Sequence, residues 1–140
     1  MDRYYTAFIY KLKYFTSLHC THKYLGELNE DQLRSVKFRI MDYFSDNPNV
    51  KFPVATFDQV EYFTDPLGGQ TRILRPLSVD LGNWMLDLKS RIDEFREDDF
   101  PYDPHLATPN RRKVNKPFKF YVLINSTTKE ILLKYRNAAI

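Results

Sequence analysis

What most constrains this chain is the way its hydrophobic period switches between two and about 3.6, because one period buries a strand face and the other a helix face. Residues 4–12 are rich in Tyr, Phe and Ile and read as a strand, and a second strand-like run follows from Leu18 to Gly26. The period then changes. Asn29 offers an N-cap with Gln32 three residues on, and Leu33, Val36, Ile40 and Tyr43 or Phe44 recur at helical spacing until Asn47-Pro48 stops them. Residues 52–63 and 71–77 return to strand character around Asp65-Pro66-Leu67-Gly68-Gly69, a turn sequence that predicts a hairpin. Ser78 or Asp80 can cap a second helix, with Leu81, Trp84, Leu88, Ile92 and Phe95 on one face. The acidic Glu94, Glu97, Asp98 and Asp99 oppose the dipole at its C-terminal end and predict fraying there. A short run through His105, a basic loop over 109–116, and strands over 118–124 and 131–135 joined at Ser126-Thr127-Thr128 complete the pattern. It predicts a single α+β domain spanning 1–140.

Composition narrows the setting. A chain of 140 residues with 11 Phe and 10 Tyr can bury one sizeable core. Lys11 and Lys13 interrupt the only apolar N-terminal run, and no segment approaches the roughly 20 apolar residues of a membrane span. A soluble, cytoplasmic monomer is expected. The one cysteine, Cys20, excludes an intrachain disulfide and suits a reducing compartment. A formal charge of +3 permits a phosphate-bearing ligand without requiring a long nucleic acid.

Chemistry concentrates at Leu18-His19-Cys20-Thr21-His22-Lys23-Tyr24-Leu25-Gly26-Glu27. On a strand, His19 and Thr21 share a face, joining a group that moves protons near neutral pH to a hydroxyl that can donate to a phosphoryl oxygen. Strict alternation returns Lys23 to that face and turns Cys20 and His22 away from it. This argues against a zinc site built from His19, Cys20 and His22, and no metal is expected. A second histidine, His105, is entered through Pro104 far downstream. Two such half-sites suggest a two-lobed domain in which each lobe contributes one histidine to a shared cleft.

The two motifs together resemble the signatures of the 2H phosphoesterase superfamily, also called LigT-like or 2′-5′ RNA ligase-like. Residues His19 to Glu27 resemble its first His-x-Thr/Ser motif, and Tyr102-x-Pro104-His105-Leu106 its aromatic-x-Pro-His second motif. The resemblance implies two antiparallel sheets with outer helices around a central cleft. It also implies a cofactor-free phosphodiesterase acting on a ribonucleotide phosphodiester at the ribose 2′ position. The substrate would be a cyclic nucleotide or oligonucleotide signal, such as one a virus destroys in its host cytoplasm, or an RNA 2′,3′-cyclic or 2′-5′ linkage. His19, Thr21 and His105 would be catalytic.

The pattern departs at Ala107, where the family has a second Thr or Ser. Thr108 has the hydroxyl but belongs on the opposite face of a regular strand, so it serves the site only through a bulge, which Pro109 favours. Lys23, Arg111 and Arg112 are candidate phosphate contacts, the last two within a run that includes Lys113 and Lys116. Phe8 and Tyr10 share one face of the first strand and are candidate base-stacking residues. The alternative is a nucleotide-binding or sequestering module in which Ala107 marks lost catalysis. A further alternative is an interaction domain with structural histidines.

Overall fold

The computed structural model describes residues 1–64, 66–78, 80–95, 102–108 and 110–140. Its strands are β1 (Arg3–Ile9), β2 (His19–Glu27), β3 (Phe57–Thr64), β4 (Gln70–Pro76), β5 (Leu106–Ala107), β6 (Phe120–Asn125) and β7 (Glu130–Arg136). Helix α1 (Glu30–Asp46) joins β2 to β3, and α2 (Leu86–Ile92) lies between β4 and β5. All strand pairs are antiparallel, in the order β3-β4-β5-β2-β1-β6-β7. The α+β class stands, with one correction: the described strands form one seven-stranded sheet in place of the two predicted. The reason is β5, which is only two residues long but bonds to β4 on one edge and to β2 on the other through Cys20 and Leu106.

Helix α1 begins where its sequence predicts. The Asn29 side chain accepts from the Gln32 backbone N–H at 2.8 Å, while the Asn29 backbone N–H donates to the Gln32 side chain at 2.9 Å. Val36, Ile40, Tyr43 and Phe44 are its buried face. The second helix differs from its prediction. Asp80 caps a 3-10 turn over Leu81–Asn83, Met85 then adopts a left-handed φ of 53°, and α2 starts only at Leu86. Such a backbone costs a non-glycine residue about 1–2 kcal/mol, so something must hold it there. The chain then tightens into another 3-10 turn at Asp93–Phe95, while Glu97, Asp98 and Asp99 lie outside the described residues. No helix among the described residues is long and apolar enough to cross a membrane.

The holding group at Met85 is His22. Its Nε2–H donates to the carbonyls of Trp84 at 3.0 Å and Met85 at 3.1 Å, and its Nδ1 accepts from the Tyr121 hydroxyl at 2.8 Å. Both ring nitrogens are thereby used, and burial pushes the imidazole down to about 3, so it stays neutral. His22 reaches this position through a bulge in β2. Thr6 pairs with Lys23 and Ala7 with Thr21, leaving His22 as the extra residue. Two consecutive side chains, His22 and Lys23, therefore face the helices. Around them, Phe8, Phe52, Phe57, Trp84, Phe118 and Tyr121 form the main core. A smaller cluster of Ala7, Ile9, Val122 and Ile124 covers the other face of the sheet.

The His22 network predicts acid sensitivity. With the folded value near 3 and the unfolded one near 6.5, the unfolded chain binds the extra proton between these limits, so stability rises with pH across that window. Acidification from about pH 6 to pH 4 should cost about 2.5 kcal/mol through His22. Urea denaturation across that range checks it, and His22→Gln should show a flatter pH response.

Candidate active site

The bridge between Cys20 and Leu106 sets the geometry of the site. Both residues are fully buried on the helix side of the sheet, so their strand neighbours project from the opposite side. The antiparallel direction of that pairing runs Thr21 toward His105 and His19 toward Ala107, on the face opposite Cys20 and Leu106. One histidine thus comes from each half of the sheet, as the two-motif pattern predicts.

Each imidazole is tethered by the same nitrogen. His19 Nδ1 donates to the Phe15 carbonyl at 3.0 Å, and His105 Nδ1 donates to the Asp103 carbonyl at 2.8 Å. A carbonyl only accepts, so the proton of the neutral ring sits on Nδ1 in both, and Nε2 presents its lone pair. Among the described residues neither Nε2 makes a hydrogen bond. Burial lowers the His19 pKa below the ordinary histidine value; the Phe15 and Thr16 carbonyls oppose the shift, and the nearby His105 adds to it. His19 is therefore a neutral base near pH 7.

Thr21 is half-buried on the same face, and its carbonyl accepts from the Tyr102 hydroxyl at 3.0 Å. Tyr102 also contacts Cys20 Sγ at 3.8 Å, so the aromatic of the second motif ties its loop to the first motif from behind. Burial pushes the Cys20 thiol up to about 12, which leaves it protonated and unreactive. Cys20 and His22 both lie on the helix side, away from His19.

Several predicted contacts fall elsewhere. Phe8 is fully buried among Phe52, Trp84, Phe118 and Tyr121, and Tyr10 is stacked on Phe118 with ring centres 4.8 Å apart. The pairings of Ala7 with Thr21 and of Ile9 with His19 explain this, since they place the odd residues of β1 on the histidine side. Tyr5 is the aromatic there, its ring 5.1 Å from that of His19.

Lys23 fails as a cleft cation because the bulge inverts its direction. Its side chain is 1% exposed, with Nζ 3.0 Å from Asp93. Thr108 is 4% exposed and follows an unbroken alternation, with Leu106 buried and Ala107 exposed, in a β4–β5 register without a shift. The bulge that would turn Thr108 inward is absent. Arg111 and Arg112 are exposed on their loop, where Arg72 binds the Arg111 and Thr108 carbonyls.

The structure also brings in residues the sequence does not flag. Phe63 of β3 meets the His105 ring edge-on at 4.8 Å. Arg75 of β4 ion-pairs with Glu61 and with Asp103, the residue that tethers His105. No motif marks them, because their relevance depends on β3 and β4 packing beside β5.

No family model matches the chain, and no curated protein matches it. Solved structures do. A phosphoesterase superimposes with a TM-score of 0.59 at 12% identity, covering 98% of this chain and 99% of that one. The protein TT0787 of Thermus thermophilus gives 0.59 at 14% identity, over 97% and 98% of the two chains. E. coli LigT complexed with 3′-AMP gives 0.58 at 13% identity, again over 97% and 98%. The likeness runs end to end, so the chain has the LigT-like fold.

The proximity of the two rings is itself testable. Because His105 contributes to lowering the His19 pKa, His105→Ala should raise it toward the ordinary value. An NMR pH titration of the His19 ring should show this upward shift, with the Nδ1–H tautomer retained.

Proposed function

We propose that the protein is a metal-independent phosphodiesterase that cleaves a ribonucleotide phosphodiester involving the ribose 2′ position. The observation that carries this reading is the pair His19 and His105, one on β2 and the other immediately before the adjacent β5, on one face, each tethered through Nδ1 with Nε2 left for a ligand. Two such groups flanking one phosphate are a general base and a general acid.

His19, held neutral by burial, takes the proton from the attacking water or ribose hydroxyl through Nε2. The oxygen forms its bond to phosphorus as the bond to the leaving oxygen breaks. His105, entering the step protonated, gives its Nε2 proton to that departing alkoxide. Thr21 donates its hydroxyl hydrogen to a phosphoryl oxygen, where charge develops in the transition state. Ala107 offers no second donor, so Thr21 makes this contact alone.

Nucleotide recognition has two supports. Tyr5 lies against His19 and Phe63 against His105, and both rings offer surfaces on which a base or ribose can rest. Among proteins of this fold, LigT has been crystallised with 3′-AMP and with ATP. The substrate is drawn from 2′,3′-cyclic nucleotides, 2′-5′ oligonucleotides and cyclic oligonucleotide signals. Ala107 favours a second reading, a binding module without turnover, because its exposed methyl stands where a donor would serve catalysis.

Incubation with a panel of these nucleotides, with product identification, decides between the two. The enzyme reading expects hydrolysis of one class, lost by about two to four orders of magnitude in His19→Ala and in His105→Ala. Tight binding without turnover by the wild type would establish the second reading.

Activity should survive EDTA, since imidazoles and a hydroxyl perform the proton and charge transfers. Loss on chelation with rescue by a divalent ion would place the protein in another mechanistic class.

The Ala107 position can be probed directly. Thr108→Val should leave turnover unchanged because Thr108 faces the core. Ala107→Thr, which adds a donor on the cleft face, should raise turnover by less than the roughly 3 kcal/mol of a fully evolved contact.

A further inference from the structure

His105 precedes a strand of only two residues, so backbone pairing alone constrains its side chain weakly. Among the described residues its ring contacts are the Asp103 carbonyl, 2.8 Å from Nδ1, and the edge-on Phe63 ring at 4.8 Å. Both contacts lead to Arg75. The β4–β5 pairing joins Ile73 to Ala107 and Leu74 to Leu106, and its next step brings Arg75 opposite His105. The Arg75 guanidinium ion-pairs with Asp103 through Nη1 and with Glu61 through Nε, and lies 5.2 Å from the centre of the Phe63 ring. One side chain, 23% exposed, thus grips the loop residue that holds the protonated nitrogen of His105 and the ring that packs on its edge.

Arg75 has a second role to be weighed, that of a phosphate ligand in place of the missing hydroxyl at Ala107. Its partners argue against it. Two carboxylates already face one guanidinium, so the cluster carries a net negative charge and repels a phosphodiester. Guanidinium planarity instead suits it to bracing: Nε and Nη1 fix two carboxylates, one on a strand and one on a loop, in one plane.

We infer that Arg75 is a positioning residue for His105, acting through Asp103 and Phe63, with Glu61 as its counter-brace, to hold the imidazole as the Nδ1–H tautomer with Nε2 over the cleft. This rests on the phosphodiesterase reading for its catalytic consequence, though not for its structural one. An imidazolium free to rotate spends part of its time with Nε2–H turned away from the leaving oxygen, whereas one held through Nδ1–H gives up its Nε2 proton and is left as the Nδ1–H neutral form.

The test combines kinetics with nitrogen-15 NMR of the histidine rings in Arg75→Met, Asp103→Asn and Arg75→Lys. The wild type should show His105 as the Nδ1–H tautomer; Arg75→Met and Asp103→Asn should show a tautomer mixture, with His19 unchanged. On the substrate identified above, both variants should lose about tenfold to a hundredfold in kcat with KM within about threefold. The Arg75→Met, Asp103→Asn double variant should be no worse than either alone, because both break the same link. Arg75→Lys, which keeps a charge at Asp103, should recover part of the loss.

A raised KM with kcat and tautomer intact would overturn the inference and make Arg75 a phosphate ligand. Wild-type rings and wild-type kinetics in Arg75→Met would overturn it outright. If the wild type turns over no phosphodiester while Arg75→Met still releases the His105 tautomer, the phosphodiesterase reading fails and the positioning role stands.

Discussion

A single cross-strand pair, Cys20 with Leu106, joins the two halves of this molecule and orients its chemistry. Both side chains are buried on the helix side, which forces the residues on either side of them outward on the opposite face. A slip of one residue in either strand would turn that strand's histidine toward the core and its buried neighbour, Cys20 or Leu106, toward solvent. The hydrophobic burial of two side chains therefore specifies the register, and the register specifies the candidate site. It also explains why β5 can be so short: it has only to hold one buried residue between β2 and β4.

Three residues apart on one strand, His19 and His22 show how neighbours with the same chemistry acquire opposite roles. His22 is enclosed, spends both nitrogens on Tyr121 and on the carbonyls at the start of α2, and is held neutral far below the usual range. His19 gives only Nδ1 to the backbone and keeps Nε2 outward. The bulge between them does more than absorb a residue. By turning His22 and Lys23 to the same side, it lets one imidazole fix Met85 and places an ammonium beside Asp93, just beyond α2. The helix position and the open face of β2 are consequences of the same local irregularity.

The two histidines are supported unequally. His19 stands on a nine-residue strand beside Tyr5, with the preceding turn supplying its carbonyl. His105 stands on a loop, and its support comes from β3 and β4 through Glu61, Phe63 and Arg75. The absence of a hydroxyl at Ala107 adds to this asymmetry, since Thr21 on the first half has no counterpart on the second. A site assembled from one rigid half and one braced half concentrates its electrostatic support around the braced one.

What the sequence by itself determined was everything that period and spacing encode. The capping box of α1, the antiparallel hairpins, and the facing of His19 with Thr21 depend on neighbours within a few residues, where local stereochemistry decides. The LigT-like end-to-end likeness agrees with the element order read from the chain. The sequence did not reveal which face of β1 meets the cleft, because Phe8 and Tyr10 alternate as well as Tyr5 and Ala7 do, and only the pairing with β2 chooses. Nor did it reveal that Lys23 points inward, since a bulge shows no mark in an alternating pattern until Thr6 pairs with Lys23 and Ala7 with Thr21 on either side of it. The break at Met85 likewise depends on a histidine 63 positions away. Arg75, Asp103 and Phe63 converge only because β4 pairs with β5. These are contacts between distant segments, and tertiary packing alone supplies the free energy that selects them.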